Sequence, residues 1–513
     1  MTRISKIHYV KPKGIDMKFA KFLAVFSVSS FFLQSPQLLA DESNPYKAFN
    51  VRAESTHDIS LVNHGMASLE ERLRLIESAT KSIDVEYFIY NADISGKIFT
   101  QALINKAKEG VKVRVLLDYF MIKDQINTFM IHELKKEGIE IRYYNPVSSI
   151  RFIKVQYRNH RKVLLIDGEV AMTGGRNIGN EYFDLSPEFN FIDRDVVVRG
   201  EIVKSIAESF EVVWNSEEVR EKKRPSEPSP NDAKYGRNND SYQFDDFEYK
   251  HDLKKFEKRV NDAKTFIYSD VDTDKLSQIR ENGSLALRDE YTGKCESMEF
   301  LSEYPIASSK VKKQRVLKHN LFERIKNVNE KVLIDSPYFI IDDESGDAFK
   351  TALSRGKEVE LLTNGLNSTD AIYVYAVFET IVKEWIDLGL KPYMYLGHVP
   401  QNYVTLTSEI SPKTRFGVHA KTLVFDNKDV TIGTFNFDPR SYNFNTEMVV
   451  TCNNNPEFAE VVSKDIHHRM ESSVFLDSTK TVNDYEFYEI NSLGKKITYW
   501  LLKIPSNLLD HLL

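Results

Sequence analysis

Cysteine is nearly absent: Cys295 and Cys452 are the whole complement of a 513-residue chain. Two thiols make at most one disulfide and supply neither a zinc site nor a disulfide framework; both read as ordinary buried thiols. An excess of charge of either sign is missing as well. A net charge of −6 exerts no global pull on nucleic acid, which leaves at most a local basic cleft for such a partner. Membrane-spanning apolar runs are also lacking near the N-terminus, where FLAVFSVSSFFL (22–33) stops at 12 residues, too few to cross a bilayer comfortably.

That short run has a recognisable setting. Lys11, Lys13, Lys18 and Lys21 precede it, and SPQLLA ends at Ala40 before Asp41 and Glu42. A basic start, a short apolar stretch and a small residue before a polar segment describe a secretory signal, with an uncleaved anchor as the alternative. Met17, which opens MKFAKF, is an alternative start. Residues 1–40 are therefore expected to be a signal peptide or N-terminal membrane anchor, and the protein to be exported or membrane-associated, at the periplasmic face or cell envelope.

A chain of 513 residues exceeds one ordinary core, and 42% hydrophobic with 28% charged residues is a globular composition. The chain repeats itself. KSIDVEYFIYNADISGKIFTQALINKAKEGVKVRVLLD (81–118) and KVLIDSPYFIIDDESGDAFKTALSRGKEVELLTN (331–364) both run from an apolar strand through Tyr-Phe-Ile, an acidic Ser-Gly turn and an amphipathic helix to a second apolar strand. Val- and Ile-rich runs alternating with helices signal βαβ units and a parallel sheet. The expected class is α/β: two duplicated α-β-α halves with mixed, largely parallel sheets. The boundaries read as a first domain at 41–215, a linker or mobile loop at 216–256 in the polar, Pro-containing SEEVREKKRPSEPSPNDAKYGRNNDSYQ region, a second domain at 257–470 opened by a helical lead-in, and a tail at 471–513. The end of that tail, KKITYWLLKIPSNLLDHLL (495–513), suits a bilayer surface or a terminal packing helix equally. SLEERLRLIESA (68–79) has the period of an amphipathic packing helix. Tyr87, Phe88 and Tyr90 read mostly as core, with one ring available to line a cleft.

The chemistry lies in a repeated octet, HRKVLLID (160–167) and HAKTLVFD (419–426). Residues two apart on a strand share a face, so His160 with Lys162, and His419 with Lys421, point together. TGGRN (173–177) and IGTFN (432–436) follow, with small residues that allow close backbone approach and with Asn177 and Asn436 as side-chain donors. Two imidazoles, two ammonium groups and two amides suit a phosphodiester: the cations hold the non-bridging oxygens, one His attacks phosphorus, and the other protonates the leaving oxygen. A Lys two residues from each His disfavours a metal cation there, so no metal is expected. His467 and His468 read as surface residues rather than ligands.

The paired octets with GGRN and GTFN resemble the two HKD motifs of the phospholipase D superfamily, over residues 54 to the C-terminus. GGRNIGNEYF (174–183), DRDVVVRG (193–200), ESFEVVW (208–214), GTFNFDPRSYNFNTEM (433–448), SPYFI (336–340) and LLTNGLNSTD (361–370) are similar to bacterial cardiolipin synthases of the C type. The resemblance implies an active site at the interface between the halves. It makes His160 the nucleophile that forms a phosphohistidine and His419 the general acid and later base, an order open to reversal. Lys162, Lys421, Asn177 and Asn436 would hold the phosphate, and Asp195 and Glu447 would orient the imidazoles. Asp167 and Asp426 would organise local backbone. It implies no cofactor, and as partners phospholipid substrates such as phosphatidylglycerol and phosphatidylethanolamine at a membrane surface. It leaves hydrolysis to phosphatidic acid, a nuclease activity and an inactive lipid-binding protein as alternatives, and names no protein partner.

Overall fold

The computed structural model describes residues 49–147, 152–235, 246–305, 315–400, 414–479 and Tyr499. The signal-like segment 1–40 lies outside the described residues, as does the end of the tail apart from Tyr499. Among the described residues no helix is long and apolar enough to cross a membrane.

Two nine-stranded sheets carry the two copies of the octet. The first runs in the order Val219–Arg220, Ile139–Tyr144, Lys112–Asp118, Ser82–Tyr87, Val163–Ile166, Val170–Gly174, Asp195–Arg199, His57–Val62, Thr292–Cys295. The second runs Phe49–Ala53, Met298–Ser302, Met448–Cys452, Asp429–Gly433, Thr422–Phe425, Lys331–Asp335, Glu358–Asn364, Lys391–Tyr395, Val474–Phe475. In each sheet the octet's apolar run, VLLI or TLVF, is a strand with all four residues buried, as a run without polar alternation requires. The repeated βαβ unit supplies the parallel part, with Ser82–Tyr87 beside Lys112–Asp118 and Lys331–Asp335 beside Glu358–Asn364.

The sheets are mixed, but they are not largely parallel. Only the two pairings around the βαβ strand are parallel in each, and the octet's side of the sheet is an antiparallel meander. The cause is the short connection after each octet. Ile166 pairs with Val170 and Phe425 with Asp429, so three residues turn the chain and only an antiparallel return is open to it.

That turn explains the octet's last residue. Asp167 and Gly168 have φ of 56° and 69°, and Asp426 and Asn427 have φ of 51° and 53°. Asp, Asn and Gly are the residues that enter this left-handed region at least cost. The carboxylate then accepts backbone N–H groups at the start of the neighbouring strand: those of Thr80, Lys81 and Ser82 for Asp167, and of Asn329, Glu330 and Lys331 for Asp426. These bonds hold Asp167 down at about 2, against the upward push of burial. Both aspartates organise backbone, as expected.

The two halves exchange edge strands. Phe49–Ala53 precedes the first half yet pairs with Met298–Ser302 in the second sheet, whereas Thr292–Cys295 pairs with His57–Val62 in the first. A central core draws Leu116, Val163 and Val198 from one sheet together with Val418, Val424 and Val450 from the other half. Residues 257–287 differ from the expected lead-in to the second half. The helix Asp246–Tyr268 begins inside the expected linker and buries Phe256, Ala263 and Ile267 in the first half's core. Thr273–Leu287 lies along Gly65–Ser78, where Gly283 meets Met66 and Glu70 so closely that a Cβ would clash. Their apolar residues are sparse, and sparse apolar stripes do not announce which core they cover.

The cysteines are buried, but they are not free thiols. Cys295 on the first sheet's edge is bonded to Cys452 at the end of Met448–Cys452, with Cα atoms 5.9 Å apart and 157 residues of separation. No local pattern marks a pairing across that distance. The bond closes a long loop, so Cys295→Ser is expected to cost about 3–5 kcal/mol. Urea unfolding with and without reductant checks this; an unchanged midpoint would contradict it.

Candidate active site

Each octet is docked onto the opposite half through its backbone. His160 N donates to Thr446 O at 3.0 Å, and Thr446 N donates to Arg158 O at 2.8 Å. Reciprocally, Arg415–Val418 pairs in parallel with Phe189–Ile192, and His419 N donates to Ile192 O at 2.7 Å. The residue that follows each docking carbonyl is an acid. Glu447 Oε2 therefore lies 2.9 Å from His160 Nδ1, and Asp193 Oδ2 lies 2.5 Å from His419 Nδ1. Each imidazole belongs to one half and its carboxylate to the other, so neither half holds a complete site.

Residues just before each octet are fixed by a side chain at the end of the βαβ unit's second strand, two strands over from the octet's own. Asp118 Oδ2 accepts from Asn159 N at 3.0 Å, while Asn364 bonds both N and O of Val418 at 2.8 and 2.7 Å. Glu447 is held further by Thr434 Oγ1, Ser441 Oγ and Asn445 Nδ2. Both imidazole Nδ1 atoms face carboxylates, which places the Nδ1 proton there and leaves Nε2 to meet substrate. Phe88 packs edge-on to His160 at 4.8 Å between centroids, and Phe191 and Tyr182 pack on His419 at 4.8 and 5.3 Å. Of the aromatic cluster, Phe88 is the ring that reaches the site, whereas Tyr87 and Tyr90 are core.

Lys162 Nζ donates to the His160 carbonyl at 2.7 Å, and Lys421 Nζ donates to the His419 carbonyl, so each His–Lys pair does converge. Burial dominates their charges. It pushes His160 down to about 4, against Glu447 and with Lys162 and Lys421. It pushes Lys162 down to about 7, with Lys421 adding to the effect. His419 and Lys421 move down for the same first reason. Burial pushes the acids up, yet Glu447 ends at about 2 because His160 and Lys162 outweigh it, and Asp193 is held well below the carboxylate range by His419 and Lys421. A pocket that crowds four nitrogen bases and resists protonating them is one that gains from an entering anion.

Asn177 is buried, with Oδ1 accepting from Ile89 N at 3.1 Å, which leaves its NH2 group as the donor. Asn436 is buried next to Phe435 and Phe437, and its Oδ1 has no partner among the described residues. His467 and His468 sit on the outer side of Pro456–Glu471, each 3.3 Å from a glutamate, Glu360 and Glu471 respectively.

Asp195 does not orient an imidazole. Its Oδ2 accepts from Ser68 Oγ at 2.6 Å, Arg72 Nη1 at 3.0 Å and Arg176 Nη1 at 3.1 Å, all buried. Asp193 takes the expected role. Register gives the reason: Gly174 stands opposite Asp195, while its counterpart Gly433 stands opposite Val449. Asp193, not Asp195, is thus the match of Glu447. Aligning VVV with MVV misses this, because the first-half strand pairs two residues further toward the site; counting back from the glycine opposite would have found it.

The chain matches the family model "Cardiolipin synthase, PLD-like domain" over residues 73–214 and 321–470. It is 30% identical over 393 residues to a cardiolipin synthase C of Escherichia coli, covering 74% of this chain and 77% of the relative. It is 29% identical over 443 residues to an uncharacterized protein of Helicobacter pylori, covering 81% and 80%. The crystal structure of a phosphatidylserine synthase of Haemophilus influenzae shares the fold at a TM-score of 0.60 and 13% identity, covering 91% of this chain and 97% of that one. With both matched segments spanning the two octets and their docked acids, the chain belongs to the phospholipase D superfamily, in the cardiolipin synthase PLD-like family.

Proposed function

We propose that the protein is a phosphatidyltransferase of the cardiolipin synthase type that works through a phosphohistidine. The observation that carries this reading is the reciprocal pairing of His160 with Glu447 and His419 with Asp193 at Nδ1, which supports a role for both Nε2 atoms at one anionic group. In the first step His160 Nε2 attacks phosphorus. The P–O bond to the head group breaks, and its oxygen takes a proton from His419. In the second, an acceptor hydroxyl gives its proton to His419 as its oxygen bonds phosphorus, and the P–N bond's electron pair returns to His160. Lys162, Lys421, Asn177 and Asn436 hold the non-bridging oxygens.

Phosphatidylglycerol and phosphatidylethanolamine are the proposed substrates, supported by the family and by the cardiolipin synthase relatives. Action at a membrane surface, in an exported or membrane-associated protein, is supported by the N-terminal pattern and by the buried Cys295–Cys452 bond, which persists in oxidising compartments. The test is a lipid-product assay of the full chain on phosphatidylglycerol vesicles, with and without phosphatidylethanolamine. Cardiolipin with little phosphatidic acid is the expected result. Phosphatidic acid alone would make the protein a hydrolase, and unchanged lipids would defeat both.

A further inference from the structure

Two stretches that the catalytic steps leave unused, SPYFI (336–340) and LLTNGLNSTD (361–370), meet in the fold: Tyr338 Oη donates to Asp370 Oδ1 at 2.8 Å. Tyr338 is half-buried and Asp370 is exposed. Its stretch nevertheless lies against the approach to the second octet: a Cβ on Gly417 would run into Ser368 O, and Asn364 bonds both N and O of Val418, in keeping with an Asp370 charge that opposes the downward push of burial on His419 and Lys421. A carboxylate open to solvent thus stands on the His419 side of the site, among tyrosines.

This corner breaks the duplication. The bridge Phe339–Phe437 repeats Tyr90–Ile178, so Tyr338 takes the place of Ile89. By the same register Arg440 takes the place of Glu181, and its charge reaches Tyr373. Forming and cleaving a phosphohistidine needs only the symmetric parts. An asymmetric polar corner next to His419 is where the two oxygens that His419 serves can be told apart. An incoming glycerol head group brings a second hydroxyl one carbon from the attacking one, and water brings none. A carboxylate already steadied by a phenol accepts from that second hydroxyl. The cations Lys421 and Arg440 nearby disfavour an ammonium in the same place.

We propose that Asp370, steadied by Tyr338, is the residue that selects the acceptor, binding the second hydroxyl of a vicinal-diol head group while His419 deprotonates the first. The proposal rests on the transferase reading above. It is tested with the full chain on phosphatidylethanolamine vesicles, offering ethylene glycol, 1-propanol or deuterated ethanolamine and quantifying each exchanged lipid against phosphatidic acid. The wild type is expected to use ethylene glycol about tenfold better than 1-propanol, the worth of one hydrogen bond to a charged group. Asp370→Ala is expected to raise the KM for ethylene glycol about tenfold, bring the two alcohols to near parity and enrich phosphatidic acid; Asp370→Asn and Tyr338→Phe fall between. An unchanged preference in Asp370→Ala, an equal fall with both alcohols, or a wild type that favours ethanolamine would overturn it. A wild type that yields phosphatidic acid with every alcohol would instead defeat the transferase reading, and acceptor selection with it.

Discussion

His160→Ala is expected to lower phosphatidyl transfer by about 10⁴-fold or more, and His419→Ala by about 10³-fold. The two separate when the leaving group is changed. On phosphatidyl-p-nitrophenol, whose leaving oxygen needs no proton, the first-turnover burst of His419→Ala should recover to within about tenfold of wild type, because general-acid help is worth little to a good leaving group, while its later turnovers stay slow for want of a base on the acceptor. His160→Ala should stay inactive, because the atom that bonds phosphorus is gone. The contrast separates two imidazoles that the geometry makes alike: both turn Nδ1 to a buried carboxylate, and the proposed mechanism gives phosphorus to one and the proton to the other. Release of p-nitrophenolate is the readout. Rescue of His160→Ala in place of His419→Ala would reverse the order of the two histidines.

The second large contrast lies two residues apart, between Asp193 in the link after Phe189–Ile192 and Asp195 at the start of the next strand. Asp193→Asn is expected to cut kcat by about 10³–10⁴-fold while moving the unfolding midpoint little, since the amide still fills the space but no longer fixes the His419 tautomer or steadies its charged form. Asp195→Asn should do the opposite. Its carboxylate lies between Arg72 and Arg176, both buried, and their loss of a counter-charge is expected to cost about 3–5 kcal/mol of stability. Activity and thermal unfolding measured on both variants decide the matter. A stable Asp195→Asn with a collapsed kcat would restore the role that the sequence suggests for Asp195.

What was legible in the chain is what local chemistry dictates. The octet could be read because three requirements act within eight residues: imidazole and ammonium in the three residues that lead into the strand, an apolar strand, and an Asp that tolerates a left-handed turn while binding three backbone N–H groups; the His and Lys precede the strand rather than sharing its face. Asn177 and Asn436 follow at fixed distance for the same reason. What was hidden depends on register and distance. Asp193 and Asp195 are interchangeable in a linear pattern, and only the partner strand shows which reaches His419. The antiparallel share of each sheet is hidden because a buried strand looks alike whether its neighbour returns or crosses over. The Cys295–Cys452 bond and the exchanged edge strands join residues whose neighbourhood exists only after folding. The meeting of Tyr338 with Asp370 is of this kind too, although both stretches stood out as sequence.

That one site is assembled from two duplicated halves, with His160 as its nucleophile, is tested most directly by trapping the intermediate. Full-length His419→Ala, mixed with phosphatidyl-p-nitrophenol and quenched within one turnover under alkaline conditions that preserve a phosphorus–nitrogen bond, should yield by peptide mass spectrometry a phosphatidyl adduct on His160, with none in His160→Ala. Full turnover of the activated donor with no adduct on that histidine, or with the adduct on another residue, would contradict the account.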